Sequence, residues 1–220
     1  MPLTLDRDGE VFVLHFREGE NRFNRDFLDA LFAALDEVEK SEGPAALVTT
    51  GEGKFYSNGL DLDWMGADGR DQQTAFMGDV HRMFARFLAF PVPTVAAMNG
   101  HAFAGGGMMA LAHDFRVMRS DRGYFCLPEA DLGLPLTPGM NAVITAKLPR
   151  VTAHEAIVTG RRYGGEDGQR LGIVHEAVPE AEVLPRALER VRPLTGKDRA
   201  TQVALKQRLY EAELSTLLHG

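Results

Sequence analysis

Three consecutive glycines after a short apolar run restrict what this chain can fold into more than any other feature. The run covers residues 94–98 and ends at Asn99 and Gly100, and the glycines occupy residues 105–107. Glycine loses more conformational freedom on folding than any other residue. A fold that retains three in a row therefore requires unusual backbone dihedral angles, or a ligand close to the main chain. Tight packing of a helix against a strand is an alternative explanation.

The residues after the glycines predict a short helix from Met108 to His113, with the glycine N–H groups at its N-terminus. N–H groups there lack intrahelical partners, and the helix dipole favours a negative oxygen beside them. The stretch is therefore suited to an oxyanion hole. A Walker A phosphate loop is excluded because Gly106 and Gly107 stand where that motif requires Lys and Ser or Thr. A dinucleotide site is excluded because no early strand is followed by Gly-x-Gly-x-x-Gly.

Hydrophobic spacing along the rest of the chain predicts an α/β fold. A strand, helix, strand order in the first half is typical of parallel strands joined by crossover helices. No internal repeat or linker marks a firm domain boundary. The predicted segments are a hairpin over residues 1–16, helices over residues 25–39, 72–90 and 153–159, strands over residues 45–50, 94–98 and 115–118, and a helix-rich part over residues 184–218.

Composition excludes several classes of protein. The chain has 220 residues, 45% hydrophobic and 25% charged, which is ordinary for one globular domain. Its formal net charge of -7 disfavours a nucleic-acid backbone binder and a membrane-surface protein. The single cysteine, Cys126, excludes an intrachain disulfide, and no stretch is apolar for long enough to span a membrane. We therefore expect a cytoplasmic protein without nucleic-acid or membrane partners.

Three blocks of sequence, taken in order, resemble the signature of the crotonase superfamily, the enoyl-CoA hydratase/isomerase fold. They are residues 53–62, with Phe-Tyr-Ser-Asn-Gly-Leu-Asp-Leu at their end, residues 91–107, with Asn-Gly-His-Ala-Phe-Ala-Gly-Gly-Gly, and residues 125–139, with Pro-Glu-Ala-Asp-Leu-Gly and Pro-Gly. The resemblance covers about residues 11–188. It implies a ClpP-like fold of repeated ββα units with a helical C-terminal portion. Residues 1–185 would form the core with an acyl-CoA site, and residues 186–220 a helical segment of the same domain.

The resemblance also implies a site for an acyl-CoA thioester. In the family, two backbone N–H groups hold the thioester oxygen, and the matching residues here are Leu60 and Gly106. Coenzyme A is part of the substrate, so no separate cofactor is expected. Homotrimers or pairs of trimers are typical of the superfamily, and we expect the same here. The further substrate-binding residues that the resemblance implies are Ser57, Asn58, Gly59, Gly105 and Met109.

The acidic residues indicate which reaction the site performs. Hydratases of this family carry two glutamates, one shortly after the glycines and one in the Pro-Glu element. Met109 stands at the first position and Glu129 at the second. Water addition uses two groups, whereas one base is enough to move a proton from C2 to C4 of a 3-enoyl thioester. The pattern resembles the Δ3,Δ2-enoyl-CoA isomerase branch, with Glu129 as acid and base and with Met108, Met109 and Phe103 keeping water out.

Other functions stay open at this point, namely a hydratase, another crotonase-type lyase, or an acyl-CoA binder without catalysis.

No metal site is expected, because the histidines lack the sequence spacing of metal ligands and Asp61 is interpreted as a helix N-cap. Ser57 and Cys126 lack a histidine at any motif spacing, which disfavours nucleophilic catalysis. Lys54, Arg22 and Arg25 are candidates for the CoA phosphates, with a solvated face as the alternative for each of them. We expect His81, His101 and His113 to be core or surface residues and Asp131 to have a structural role.

Overall fold

Strands and helices alternate along the chain in the computed structural model, which describes residues 2–220. The strands are β1 (Leu3–Asp8), β2 (Val11–Phe16), β3 (Arg22–Phe23), β4 (Ala46–Gly51), β5 (Phe55–Ser57), β6 (Gly59–Leu60), β7 (Thr94–Met98), β8 (His101–Phe103), β9 (Phe115–Arg119), β10 (Phe125–Cys126) and β11 (Glu176–Val178). The α-helices are α1 (Arg25–Lys40), α2 (Leu62–Gly66), α3 (Gln73–Leu88), α4 (Gly105–Ala112), α5 (Glu129–Leu132), α6 (Pro138–Lys147), α7 (Arg150–Thr159), α8 (Gly165–Arg170), α9 (Glu180–Val191), α10 (Arg199–Leu209) and α11 (Glu211–His219).

A six-stranded sheet in the order β1-β2-β4-β7-β9-β11 forms the framework. Only β1 and β2 pair antiparallel, as the predicted hairpin requires, and the other neighbours are parallel. Every residue of β4 and β7 is buried, which is why both strands appear in the sequence as continuous apolar runs. The predicted parallel strands are therefore confirmed.

A smaller parallel sheet, β10-β8-β5, lies beside the large one, and β3 pairs with β6 in a two-stranded ladder. Three times along the chain, a strand of the large sheet is followed by a strand of the small sheet and then by a helix. These units are β4-β5 with α2 and α3, β7-β8-α4, and β9-β10-α5. The arrangement confirms the predicted fold of repeated ββα units with a helical C-terminal portion.

Amphipathic helices cover the sheets. Asn24 caps α1 by accepting a hydrogen bond from the N–H of Phe27, and the helix buries the apolar face that its spacing predicts. On the other face of the large sheet, α9 packs on β4, β7 and β9. The α9 contacts are made by Val183, Ala187 and Val191 against Val48, Val95, Ala97 and Val117.

The structure corrects one predicted segment. Helix α4 begins at Gly105 rather than at Met108, so the glycines form its first turn. Asp131, for which we expect a structural role, lies in the short helix α5, and its carboxylate lies against Gly160 at the end of α7. The proposed boundary at residue 185 falls inside α9, so no element ends there.

The C-terminal helices are tied to the rest of the fold. Helix α11 packs on α3 and α6, and Leu217 belongs to the main hydrophobic core. In α10, the buried Lys206 ammonium donates to the Asp114 carboxylate at 2.7 Å and to the Phe90 carbonyl at 3.0 Å. Asp114 lies at the start of β9, so this contact joins α10 to the large sheet.

Candidate active site

The C-terminal ends of the three strands in the small sheet meet at one edge. Beyond β5 comes the turn that leads to Leu60, beyond β8 come Ala104 and the glycines, and beyond β10 comes Glu129. Parallel strands place their C-terminal ends together, and ligands in α/β proteins bind in the crevice outside such ends. This edge therefore assembles all three sequence blocks that carried the family resemblance.

A cavity of about 550 Å³ opens at this edge. Four of the predicted site residues line it: Asn58, Leu60, Gly105 and Glu129. Most of the other lining side chains are apolar, as suits an acyl chain. The remaining lining residues are Arg22, Leu62, Asp63, Met65, Met77, Ala104, Pro128, Leu132, Leu134, Pro135, Thr137 and Met140.

Glycines allow the first two segments to touch. A Cβ added to Gly106 would lie 2.3 Å from the carbonyl oxygen of Ser57, and one added to Gly59 would lie 2.7 Å from the Gly105 nitrogen. Gly59 also has a φ of +77°, a conformation that favours glycine. The close approach explains why the glycines are needed, and it brings the Leu60 and Gly106 segments side by side.

The start of α4 carries backbone donors without intrahelical acceptors. Gly105, Gly106 and Gly107 occupy the first turn, and no side chain caps it. Ala104 precedes the turn with a φ of 48°, a conformation that is strained for a residue with a Cβ. Hydrogen bonds from the Ala104 N–H to the Cys126 carbonyl and from the Met108 N–H to the Ala104 carbonyl hold this conformation. The strained residue, Ala104, therefore lies at the cavity, directly before the first turn of α4.

Glu129 is the titratable group of the cavity that is withdrawn from solvent. Its Oε2 atom is buried and has no hydrogen-bond partner within residues 2–220. Burial among apolar side chains raises the pKa of this carboxyl group above its usual value. Asp63, the other carboxylate in the lining, differs because its side chain is 90% exposed and pairs with Arg22 at 2.8 Å. The cavity thus has one carboxylate placed to exchange a proton in an apolar setting.

The structure does not bring the other predicted residues to the cavity surface. Ser57 is fully buried, and its hydroxyl donates to the Asn21 carbonyl at 2.7 Å and accepts from the Gly59 N–H at 3.2 Å, so it shapes the turn. Met108 and Met109 are buried inside α4 and do not line the cavity, and neither does Phe103. The apolar side chains that share the cavity with Glu129 include Leu60 and Met140 instead.

Alternative nucleophiles have structural roles. The thiol of Cys126 donates to the Gly160 carbonyl, and burial raises its pKa to about 11. His113 is buried between Thr49 and the Met109 carbonyl, and burial lowers its pKa to about 3.

Within residues 2–220, no three His, Cys, Asp or Glu side chains are grouped as metal ligands would be. The same residues contain no helix that is both long and apolar enough to cross a membrane.

The three candidate cations for the CoA phosphates lie in different places. Arg22 lines the cavity and pairs with Glu20 and Asp63. Arg25 pairs with Asp29 and Asp79 on the helix surface, away from the cavity lining. Lys54 lies at the opposite edge of the small sheet, in a separate cavity. Only Arg22 is therefore placed to meet a ligand that extends from this site.

Sequence reasoning missed several lining residues. Thr137 accepts from the N–H of Met140 as the N-cap of α6, and its hydroxyl also bonds to His81 at 2.8 Å. The Pro-Gly pair at residues 138 and 139 signalled this helix start, because proline is favoured in the first turn. Met77 comes from α3, and no local pattern distinguishes it from an ordinary core methionine.

Comparison with known proteins assigns the family. The model of the family described as Enoyl-CoA hydratase/isomerase matches residues 8–219. The chain belongs to the enoyl-CoA hydratase/isomerase family. The match includes every segment at the cavity edge, so the site lies in the part of the chain on which family membership rests.

Individual members of the enoyl-CoA hydratase/isomerase family show how similar the chain is to known proteins. It is 37% identical over 191 residues to enoyl-CoA delta isomerase 3 of Arabidopsis thaliana, covering 81% of this chain and 77% of the relative. It is 35% identical over 162 residues to carnitinyl-CoA dehydratase of Escherichia coli K12, covering 74% of this chain and 61% of the relative. The human mitochondrial delta3-delta2-enoyl-CoA isomerase shares the fold, with a TM-score of 0.91 at 24% identity over 99% of this chain and 86% of that one.

Proposed function

We propose that this protein is an acyl-CoA isomerase that shifts the double bond of a 3-enoyl-CoA to the 2-enoyl position, as part of fatty acid oxidation. The observation that carries the proposal is the half-buried Glu129 carboxylate in an apolar cavity, whose Oε2 atom is buried and has no hydrogen-bond partner within residues 2–220. The similarity to the Arabidopsis thaliana enoyl-CoA delta isomerase supports it. The substrate is an acyl-CoA thioester, and coenzyme A belongs to the substrate rather than acting as a cofactor.

In this mechanism Glu129 is the single acid and base. Its carboxylate takes a proton from C2, and the electron pair of that C–H bond forms the dienolate, with negative charge on the thioester oxygen. The N–H groups of Leu60 and Gly106 stabilise this oxygen. Glu129 then returns the proton to C4 as the thioester carbonyl re-forms and the double bond settles between C2 and C3.

A raised pKa suits this double role, because the group must both accept and release a proton near neutral pH. An apolar lining also keeps water from the dienolate. Of the substrate-binding residues, we propose that Asn58 and Gly105 contact the thioester region, while Ser57, Gly59 and Met109 act through the backbone they support. Arg22 is the candidate contact for the CoA part.

A second candidate function is dehydration or hydration of an acyl-CoA, which the similarity to the Escherichia coli carnitinyl-CoA dehydratase supports. It requires a second group to handle water. Met109 occupies the position of the first glutamate of hydratases, which favours isomerisation. Adding crotonyl-CoA and measuring 3-hydroxybutyryl-CoA distinguishes the two, and turnover equal to that of the isomerisation would reject the isomerase proposal.

Isomerisation of 3-hexenoyl-CoA, followed as formation of the 2-enoyl thioester, tests the proposal directly. We expect Glu129→Gln to lower kcat by roughly 10²–10⁴-fold, because the neutral amide cannot accept the proton. Substrate deuterated at C2 should deliver part of its label to C4, because one base carries it. As a control, Glu37→Gln removes an exposed carboxylate on α1 and should leave kcat unchanged. Equal turnover in Glu129→Gln would reject Glu129 as the base.

We also propose that the protein forms a homotrimer or a pair of trimers and that it is cytoplasmic. Both proposals follow from the family resemblance and from the sequence. Sedimentation measurements of the purified protein test the oligomer, and a monomer at micromolar concentration would contradict it.

A further inference from the structure

A second cavity, of about 340 Å³, lies at the opposite edge of the small sheet from the candidate active site. Lys54 immediately precedes β5, and His101 begins β8, so the cavity is at the N-terminal ends of these strands. The lining residues are Gly53, Lys54, Gly100, His101, Arg119, Arg122, Gly123 and Glu180. Nothing in the proposed isomerase mechanism uses them.

The charges around this cavity do not balance. Arg119 is nearly buried and pairs with Asp121 at 2.7 Å and with Glu180 at 2.8 Å. Both acidic side chains are thereby engaged, whereas Lys54 and Arg122 form no salt bridge with any residue in the described part of the chain. Two exposed cations consequently face one cavity without a counter-charge from the protein, which favours an anionic ligand.

His101 adds a polar group without a partner. Its Nδ1 atom is buried and forms no hydrogen bond to the residues from 2 to 220. Burial lowers the pKa of His101, and the charges of Lys54, Arg162, Arg122 and Arg119 lower it further, so both effects favour the neutral form of the imidazole. A neutral imidazole has one N–H donor, and the Nε2 atom, which is neither buried nor hydrogen-bonded within the described residues, can offer it to a ligand in the cavity.

The main chain comes close to the cavity because glycines line it. A Cβ on Gly100 would lie 2.1 Å from the Lys54 carbonyl oxygen, and one on Gly123 would lie 2.9 Å from the Gly100 carbonyl carbon. Three loops are thus packed together without side chains between them. This packing fixes the positions from which Lys54, His101 and Arg122 extend.

We propose that this cavity binds a small oxyanion with two negative charges, such as inorganic phosphate or the phosphoryl group of a larger molecule. Lys54 and Arg122 supply the charged contacts, and His101 supplies a neutral donor. Charge-assisted hydrogen bonds to phosphate oxygens are the strongest of the contacts available here. The site goes beyond the proposed isomerase function, and its occupancy is measured without any acyl-CoA.

Calorimetric titration of the intact protein with sodium sulfate, which remains a dianion at all relevant pH values, tests the proposal. We expect saturable binding that weakens about tenfold or more in the Lys54→Met/Arg122→Met double variant, since two charge-assisted contacts are lost. The matched control is Lys197→Met/Arg208→Met, which removes the same charge from two exposed residues outside the cavity. It should bind sulfate as the wild type does.

Equal weakening in the two double variants would attribute binding to overall charge and overturn the proposal, as would absence of binding to the wild type. If the cavity variant fails to fold, the wild type still decides the question. Sulfate should then shift the imidazole NMR signals of His101 and leave those of His219 unchanged, and no shift at His101 overturns the site. Titration with phosphate and with adenosine 5′-monophosphate separates the sources, because tighter binding of the nucleotide indicates that the phosphoryl group belongs to a larger ligand.

Discussion

At the scale of single residues, Glu129 combines two opposing effects. The apolar lining of the cavity raises the pKa of the Glu129 carboxyl group, which makes the carboxylate a better base near neutral pH. The same lining disfavours the charged form in the folded protein. In the unfolded chain the same carboxylate is hydrated and carries its charge freely. Folding at neutral pH is therefore opposed by the free energy needed to bury this charge. The opposing free energy arises because the proposed reaction uses a base in an apolar cavity, and it does not come from the packing of the fold.

The Glu129→Gln variant should accordingly be more stable than the wild type at pH 8. Because the folded-state pKa is raised above its usual 4.5, the wild type loses stability as pH rises through the folded-state pKa. The amide has no such loss, so we expect its Tm to be higher by roughly 2–4 °C, the shift that about 1 kcal/mol produces in a chain of this size. The difference should vanish at pH 4, where both side chains are neutral. Calorimetric melting at the two pH values measures it, and an equal difference at both would contradict this account.

At the scale of elements, the contact between α4 and β5 controls the distance between the two proposed oxyanion donors. No side chain separates the first turn of α4 from the carbonyl of Ser57. The turn before α4 contains the strained Ala104, whose backbone is held by hydrogen bonds to its neighbours. The geometry of the site is thus fixed by backbone packing rather than by mobile side chains.

Gly106→Ala tests this contact. The added methyl would meet the Ser57 carbonyl oxygen at 2.3 Å, so helix and strand must separate. We expect a loss of about 1–3 kcal/mol in stability and a decrease of about 10²-fold in kcat/KM, because a displacement near 1 Å moves the donors off the thioester oxygen.

Gly78→Ala is the matched control for that substitution. Gly78 lies in α3, its added Cβ meets nothing within 4 Å, and the substitution should stabilise the helix by about 0.5–1 kcal/mol. Chemical denaturation and steady-state kinetics on both variants provide the comparison. Similar kcat/KM values in Gly106→Ala and the wild type would mean that the contact does not set the site.

Local periodicity predicted the long elements, because their burial is regular. Helix α1 and strands β4 and β7 lie within a residue or so of the predicted ranges. The short strands β5, β6 and β10 have two or three residues each, and they form only through pairing with distant partners, which no local pattern records. The start of α4 was placed three residues late because glycine disfavours helix, whereas here tertiary packing imposes it.

The residues of the candidate active site can likewise be predicted from the sequence only in part. Asn58, Leu60, Gly105 and Glu129 are predicted because they stand in sequence motifs, and all four line the cavity. Met77 and Met140 were missed because each resembles any buried methionine in an amphipathic helix. Only the fold brings α3 and α6 to the same cavity.

At the scale of the whole molecule, the contact between Lys206 and Asp114 links chain segments that are 92 residues apart. The Lys206 ammonium also donates to the carbonyl of Phe90, just after α3, so one side chain joins α10 to two parts of the core. The Asp114 carboxylate, in turn, accepts from the N–H of Thr94 at the start of β7. Loss of the lysine would leave a carboxylate in a largely buried site without its counter-charge.

We expect Lys206→Met to lower the free energy of unfolding by about 3 kcal/mol, because breaking a buried pair leaves the partner uncompensated. Adding Asp114→Asn should recover about 1 kcal/mol or more of that loss, as expected for directly coupled residues. Urea denaturation of both single variants and the double variant measures the coupling. Additive losses would show that the pair is not coupled, and Lys197→Met serves as a surface-lysine control.

The small sheet of three parallel strands is a framework on which the reaction can change during evolution while the fold stays the same. Each strand is followed by a short segment at the cavity, and outside the tightly packed glycines the side chains of these segments take no part in the backbone pairing of the strands. A lineage can therefore acquire a new reaction through a few substitutions without first inventing a new framework. For the protein engineer, Asn58, Leu60 and Leu132, which line the cavity outside the tightly packed glycines, form a compact library in which new acyl-CoA activities can be sought while the sheet is kept constant.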